Sequence, residues 1–151
     1  MEKSLILVKP DGLQRGLVGE ILSRFERKGL KIIGLKMLSI EDAILEQHYE
    51  HLADKPFFSD IKEFMKSSPI VAIALEGGEG AVAAIRTLVG PTKGQEAPAG
   101  TIRGDFGLSG SINLVHASDS IETGRTEVDR FFGGDELFEY TKTDLQHVYG
   151  K

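Results

Sequence analysis

The sequence predicts an αβ sandwich of the α+β kind, with helices packed on a sheet of four strands. Three observations carry this. Four short apolar runs, near residues 4–8, 31–40, 70–75 and 112–115, have the length and make-up of strands. Between them, apolar residues recur at three- and four-residue spacing, the mark of amphipathic helices. The resulting order is βαβ(αα)βα, a loop, then βα, and such interleaving places helices on a sheet. At 151 residues, 40% apolar and 27% charged, the chain suits one compact domain over residues 1–151.

Each element has its own signal. Residues 4–8 form an apolar run closed by the turn Lys9-Pro10-Asp11-Gly12. Leu13, Leu17, Val18, Ile21, Leu22 and Phe25 line one helix face, and Gly29 stops that helix. Ile32, Ile33, Leu35, Met37 and Leu38 mark the second strand. A helix is expected over 41–53; Pro56 interrupts, and 59–67 resumes helically. Pro69 precedes the third strand, Gly77 and Gly78 turn the chain, and a helix follows over about 79–89. Residues 90–110, GPTKGQEAPAGTIRGDFGLSG, show no period and are expected as a long loop, which a compact domain keeps only for a purpose. The fourth strand ends at His116, and a helix follows over 121–132, with Ile121, Val128 and Phe132 at helical spacing. The tail from 135 is mixed. A ferredoxin-like sandwich with extra helices fits this spacing.

Composition narrows the function. Without cysteine, disulfides, thiolate catalysis and cysteine-held metals are excluded. A formal net charge of -5 gives no long-range attraction to nucleic acid or anionic membranes. The apolar N-terminal run is too short for a signal peptide or a membrane span. A cytoplasmic protein is expected, with no membrane partner and no nucleic-acid partner.

Several residues invite chemistry, each beside a plainer reading. Gly78, Gly80 and Ala83 fit G-x-G-x-x-A, but no acidic residue closes a following strand, so turn geometry explains the glycines. His48 and His51 share a helix face and could hold a metal, yet no third ligand is evident and a solvated face explains them. Tyr49 and Phe57 could line a groove or pack in the core. Lys9, Arg86, Arg103 and Thr92 are ordinary surface residues singly; brought together, they are the donors a polyphosphate needs. His116 lies in N-L-V-H-A-S-D-S, a strand end running into small polar residues. It could be structural, or a base, acid or nucleophile with a carboxylate to orient it. A Ser118–Glu127 contact would need the chain to fold back at the helix start.

The motifs taken together resemble those of nucleoside diphosphate kinases. V-K-P-D-G, H-Y followed by K-P-F-F, R-x-L-x-G-x-T, G-T-I-R-G-D-F, N-x-x-H-x-S-D-S and the closing F-F…E-L-F-E-Y occur in order along essentially the whole chain. The resemblance implies a ferredoxin-like αβ sandwich with a four-stranded antiparallel sheet. It implies transfer of the γ-phosphate of a nucleoside triphosphate such as ATP to a nucleoside diphosphate, by a ping-pong route through phosphorylated His116, with broad base and sugar specificity. Ser118 and Glu127 match the pair that holds the histidine. Arg86, Arg103 and Thr92 match phosphate contacts, Lys9 and Asn113 the sugar contacts, and Phe57 the ring that stacks on the base, with Tyr49 beside the site. Mg²⁺ would be held mainly by phosphates and water, with Asp119 as a possible outer-shell residue.

The resemblance further implies a homo-oligomer, a hexamer by the length of the tail through Tyr149, with a tetramer as the alternative. Three positions depart from the family's frequent pattern: Ala117 stands where Gly is frequent, Ile112 where Arg is, and Lys93-Gly94 where Asn-Pro is. None is a catalytic position. Two rivals are a nucleotide-binding module without activity and a histidine phosphatase. The first would lack His116, Lys9 or Arg103, and the second needs an R-H-G start that is absent.

Overall fold

The computed structural model describes residues 1–150. Its sheet contains β1 (Glu2–Val8), β2 (Lys31–Leu38), β3 (Ile70–Gly77) and β4 (Val115–Ala117). Their spatial order is β2-β3-β1-β4, and every neighbouring pair is antiparallel. The expected antiparallel ferredoxin-like sandwich is the observed one.

The helices are α1 (Pro10–Gln14), α2 (Val18–Lys28), α3 (Asp42–His48), α4 (Phe58–Lys66), α5 (Ala81–Val89), α6 (Ile102–Phe106), α7 (Ile121–Phe131) and α8 (Leu145–Tyr149). Successive strand residues point to opposite faces. Ile6, Val8, Ile73, Val115 and Ala117 therefore pack with Ile21 and Phe25 of α2, Ile85 of α5 and Ile102 of α6. Leu5, Leu7, Ala72 and Ala74 pack on the other side with Leu45 of α3, Met65 of α4 and Val128 and Phe131 of α7. Both faces of β1 are thus buried, which is why it reads as an unbroken apolar run.

The same alternation positions His116. Its neighbours Val115 and Ala117 point into the first core, so its own side chain faces the α3 and α7 side. The strand does not end at His116 as the sequence suggests; His116 is the middle residue of β4, opposite Leu7.

Other boundaries differ for local reasons. The expected helix from Leu13 is two helices, because Gly16 adopts a left-handed φ of 68° between α1 and α2. The expected 41–53 helix ends at His48, and a 3-10 turn, Glu50–Leu52, follows. The loop at 90–110 is not structureless: it contains the 3-10 turn Gly94–Glu96 and α6. On α7 the inward residues are Gly124, Glu127, Val128 and Phe131, whereas Ile121 is exposed.

Candidate functional site

A polar cleft of about 760 Å³ opens above β4, lined by Lys9, His48, Tyr49, Arg86, Thr92, Arg103, Asn113, His116, Asp119, Glu127 and Arg130, among others. A second, more apolar cleft of about 670 Å³ contains Phe57, Ile61, Phe64, Met65 and Ile112. The two share Lys9, Tyr49, Thr92 and Asn113. Residues far apart in the chain are thus gathered around one extended site. Ser118 does not line it; it lies fully buried behind His116.

The backbone entering β4 is strained. Leu114 has φ of 75°, which costs a side-chain-bearing residue about 1–3 kcal/mol. The surroundings hold it there: Lys9 N–H donates to the Leu114 carbonyl at 2.8 Å, and the Leu114 N–H donates to Asp11 Oδ2 at 3.0 Å. The V-K-P-D-G turn therefore anchors the residue two before His116.

Hydrogen-bond direction can be followed through the relay behind His116. Leu5 N–H donates to Ser118 Oγ at 2.9 Å, and the Ser118 hydroxyl donates to Glu127 Oε1 at 2.6 Å. The same oxygen lies 2.9 Å from His116 Nε2. An ionised carboxylate only accepts, so Nε2 carries a proton, and in the neutral ring Nδ1 keeps its lone pair. Burial alone would push the Glu127 carboxyl up, but the His116 ring and the Ser118 hydroxyl outweigh it and hold it below the usual carboxylate range.

Four cations face the cleft: Lys9, Arg86, Arg103 and Arg130. Burial, with Arg103 nearby, pushes the Lys9 ammonium down to about 8, and Lys9 Nζ donates to Asn113 Oδ1 at 2.8 Å. Asn113 Nδ2 in turn donates to the Thr92 and Gly110 carbonyls at 3.0 and 3.3 Å. Arg103 is no loop surface residue but lies buried on α6. It donates to the carbonyls of Asn113, Gly90 and Val115 at 3.2, 3.0 and 2.6 Å. Those bonds use three of its five N–H groups. Burial and then Arg86 push its pKa down to about 10. Arg86, on α5, donates to the Ala117 carbonyl at 3.1 Å. The G-T-I-R-G-D-F segment builds the support: Thr101 Oγ1 caps α6 through the Gly104 N–H at 2.9 Å, and Asp105 pairs with Arg24 at 2.7 Å.

His48 is the main correction to the sequence reading. It does not share a solvated face with His51; it is buried, with its ring edge-on to His116 at 4.6 Å between centroids. His48, His116 and Glu127 each offer a ligand atom within 4.8 Å of the others. Those atoms are committed to hydrogen bonds, with Arg130 on His48 Nδ1 and Ser118 on Glu127, so the cluster is a proton-positioning relay and not a metal cage. The exposed carboxylates lining the cleft, Glu50, Asp119 and Glu122, are the oxygen donors of the kind a hard cation takes. Sequence reasoning missed the roles of Leu114 and Asp11, although both lie in quoted motifs, N-L-V-H-A-S-D-S and V-K-P-D-G, and it missed Arg130, which no motif marks.

Comparison with known proteins identifies the family and the fold. A family model described as nucleoside diphosphate kinase matches residues 2–137. A nucleoside diphosphate kinase of Parabacteroides distasonis is 49% identical, with 99% of this chain and 97% of that protein covered. One from Staphylothermus marinus is 52% identical, over 92% of this chain and 98% of its own. A halophilic nucleoside diphosphate kinase from Halobacterium salinarum, solved in complex with CDP, superposes with a TM-score of 0.94 at 41% identity, covering 98% of each chain.

Proposed function

The chain belongs to the nucleoside diphosphate kinase family and transfers the terminal phosphate of a nucleoside triphosphate to a nucleoside diphosphate by a ping-pong route, and on that premise we propose that His116 carries the phosphoryl group between the half-reactions. The observation that carries this is the Leu5–Ser118–Glu127–His116 relay, which leaves Nδ1 of a cleft-facing histidine unprotonated. In the first half-reaction His116 Nδ1 attacks the γ-phosphorus. An N–P bond forms, the bond from phosphorus to the β,γ-bridging oxygen breaks, and the diphosphate leaves with that electron pair. In the second, an oxygen of an incoming diphosphate's terminal phosphate attacks the phosphohistidine and returns the electron pair to Nδ1. Glu127 stabilises the positive charge that develops on the ring.

Phosphoryl transfer is mainly positioning and charge stabilisation, and the cleft is furnished for both. Arg86, Arg103 and Thr92 hold the phosphates. Lys9 and Asn113 face the ribose hydroxyls. Phe57 at the mouth of the apolar cleft stacks on the base, with Tyr49 beside it. Stacking accepts any base, because each has a π-face. The CDP complex of the Halobacterium salinarum relative supports a nucleotide in this cleft. Mg²⁺ would be held mainly by the substrate phosphates and water, with Asp119 in support, and would offset phosphate charge. Assembly into a homo-oligomer is supported by edge strand β2, which exposes Leu35 and Met37. No helix among the described residues is long and apolar enough to cross a membrane.

The test uses γ-labelled ATP and Mg²⁺ without acceptor. The expected result is acid-labile, base-stable label on the protein that moves to added GDP, and no label on His116→Ala. Full labelling of His116→Ala would overturn the assignment of the nucleophile.

A further inference from the structure

Glu127 has two imidazoles within reach, and the relay uses only one. His116 Nε2 lies on Oε1, while His48 Nδ1 lies 3.7 Å from Oε2. A proton on that Nδ1 would give the carboxylate a second donor and draw it off His116. The residue standing against this is Arg130, one helical turn beyond Glu127 on α7, whose Nη1 is 3.1 Å from His48 Nδ1. A guanidinium has only N–H groups and donates in every contact. This contact therefore makes His48 Nδ1 an acceptor and leaves the single proton of the neutral ring on Nε2.

We infer that Arg130 is a positioning residue for phosphoryl transfer: by donating to His48 Nδ1 it keeps that nitrogen unprotonated and reserves Glu127 for His116. The inference rests on the relay reading above and adds a residue that no motif in the sequence marks.

The surroundings agree. His48 is buried against Tyr49 and Phe131 on ring edges and is too enclosed to exchange partners with bulk water. The groups facing it are Glu127 and Arg130 from α7, His116 from β4 and His51 from the turn after α3. Burial pushes its pKa down to about 3; charge on His116, Arg130 and His51 acts the same way, and Glu127 alone opposes. Arg130 Nε is buried without a partner among the described residues, so the guanidinium is held by its His48 contact and not by a saturated network of its own.

Removing the guanidinium takes away both the donor and the repulsion. The Nδ1–H form of His48 then gains a carboxylate within closing distance, and protonation of the ring becomes easier for the same two reasons. An imidazolium edge-on to His116 would hold Glu127 and leave the nucleophile unoriented. Activity should then fail on the acid side first.

The experiment compares full-length wild type, Arg130→Leu and Arg130→Lys. Long-range ¹⁵N–¹H spectra of the histidines read the tautomers, and single-turnover labelling by γ-labelled ATP with Mg²⁺ reads the rate against pH. Wild-type His48 is expected as the Nε2–H tautomer between pH 6 and 8. In Arg130→Leu it should switch to Nδ1–H, and the acid limb of the labelling rate should move up by about one pH unit. In Arg130→Lys, whose ammonium also only donates, both properties should move back toward wild type. Wild-type His48 with its proton on Nδ1 would overturn the inference whether or not any variant folds. An unchanged tautomer and pH profile in folded Arg130→Leu would overturn it as well. Labelling of His116→Ala tests the underlying nucleophile reading separately, since the tautomer of wild-type His48 does not depend on turnover.

Discussion

At His116 the decisive quantity is which ring nitrogen carries the proton, and a chain of donors starting at a backbone N–H in β1 decides it. Lys9 offers a comparable residue-scale argument. Burial and Arg103 lower its ammonium to about 8, so it loses its charge well before Arg103, itself lowered to about 10. Nucleotide affinity should therefore weaken above pH 8, by at most about tenfold per unit for one proton. Titration calorimetry with a nucleoside diphosphate between pH 7 and 9.5 checks this. Lys9→Gln should bind more weakly and show a flat profile over that range. A sloping profile in Lys9→Gln would assign the titration elsewhere.

The element that matters most is α7, because it holds Glu127 and Arg130 against the sheet. Its approach to β1 is possible only because residue 124 is glycine. A Cβ there would run into the Lys3 carbonyl oxygen, a backbone atom that cannot swing aside. Gly124→Ala should push α7 off β1 and carry Glu127 with it. A stability loss of about 1–3 kcal/mol is the usual cost of such overpacking. Transfer should fall further than stability does, since a misplacement of an ångström is costly in catalysis. Denaturant melts beside single-turnover rates separate the two effects. The segment at 90–110 makes a parallel point: α6 and its caps hold Arg103, whose three bonds to carbonyls tie residues 90, 113 and 115 together. The arginine proposed to hold the phosphates thus also closes the loop that presents it.

For the whole molecule, the buried uncharged His48 should govern stability toward acid. Its folded pKa of about 3 lies below the value of about 6.5 it has in an unfolded chain. The unfolded state therefore binds the proton first, and stability is full above pH 6.5 and is lost as pH falls toward 3. Glu127, held below the usual carboxylate range, adds a loss in the same direction at lower pH. The melting temperature should decline steadily from pH 6.5 downward. In His48→Gln, which keeps an acceptor for Arg130 but cannot titrate, the decline should start nearer pH 4. An unchanged slope in that variant would show that other groups control acid unfolding.

The four apolar runs and the helical spacing between them were enough to predict the sandwich, because burying one face of each element is a local demand written as periodicity. The motifs around Lys9, Arg103, Asn113 and His116 were enough to carry the resemblance to nucleoside diphosphate kinases, and that resemblance implied the chemistry; read singly, the same residues left a structural role open. What the linear pattern could not decide was who touches whom. His48 reads as half of a solvated pair, and only the packing of α3 and α7 over β4 buries it beside His116. Leu114 reads as an ordinary strand residue, and only its tethers to Lys9 and Asp11 hold it at positive φ. Nothing in the sequence singles out Arg130. Its role depends on a nitrogen 82 residues away in the chain. Hydrogen-bond direction and proton position are properties of three-dimensional neighbours, and they exist only once the sheet has brought those neighbours together.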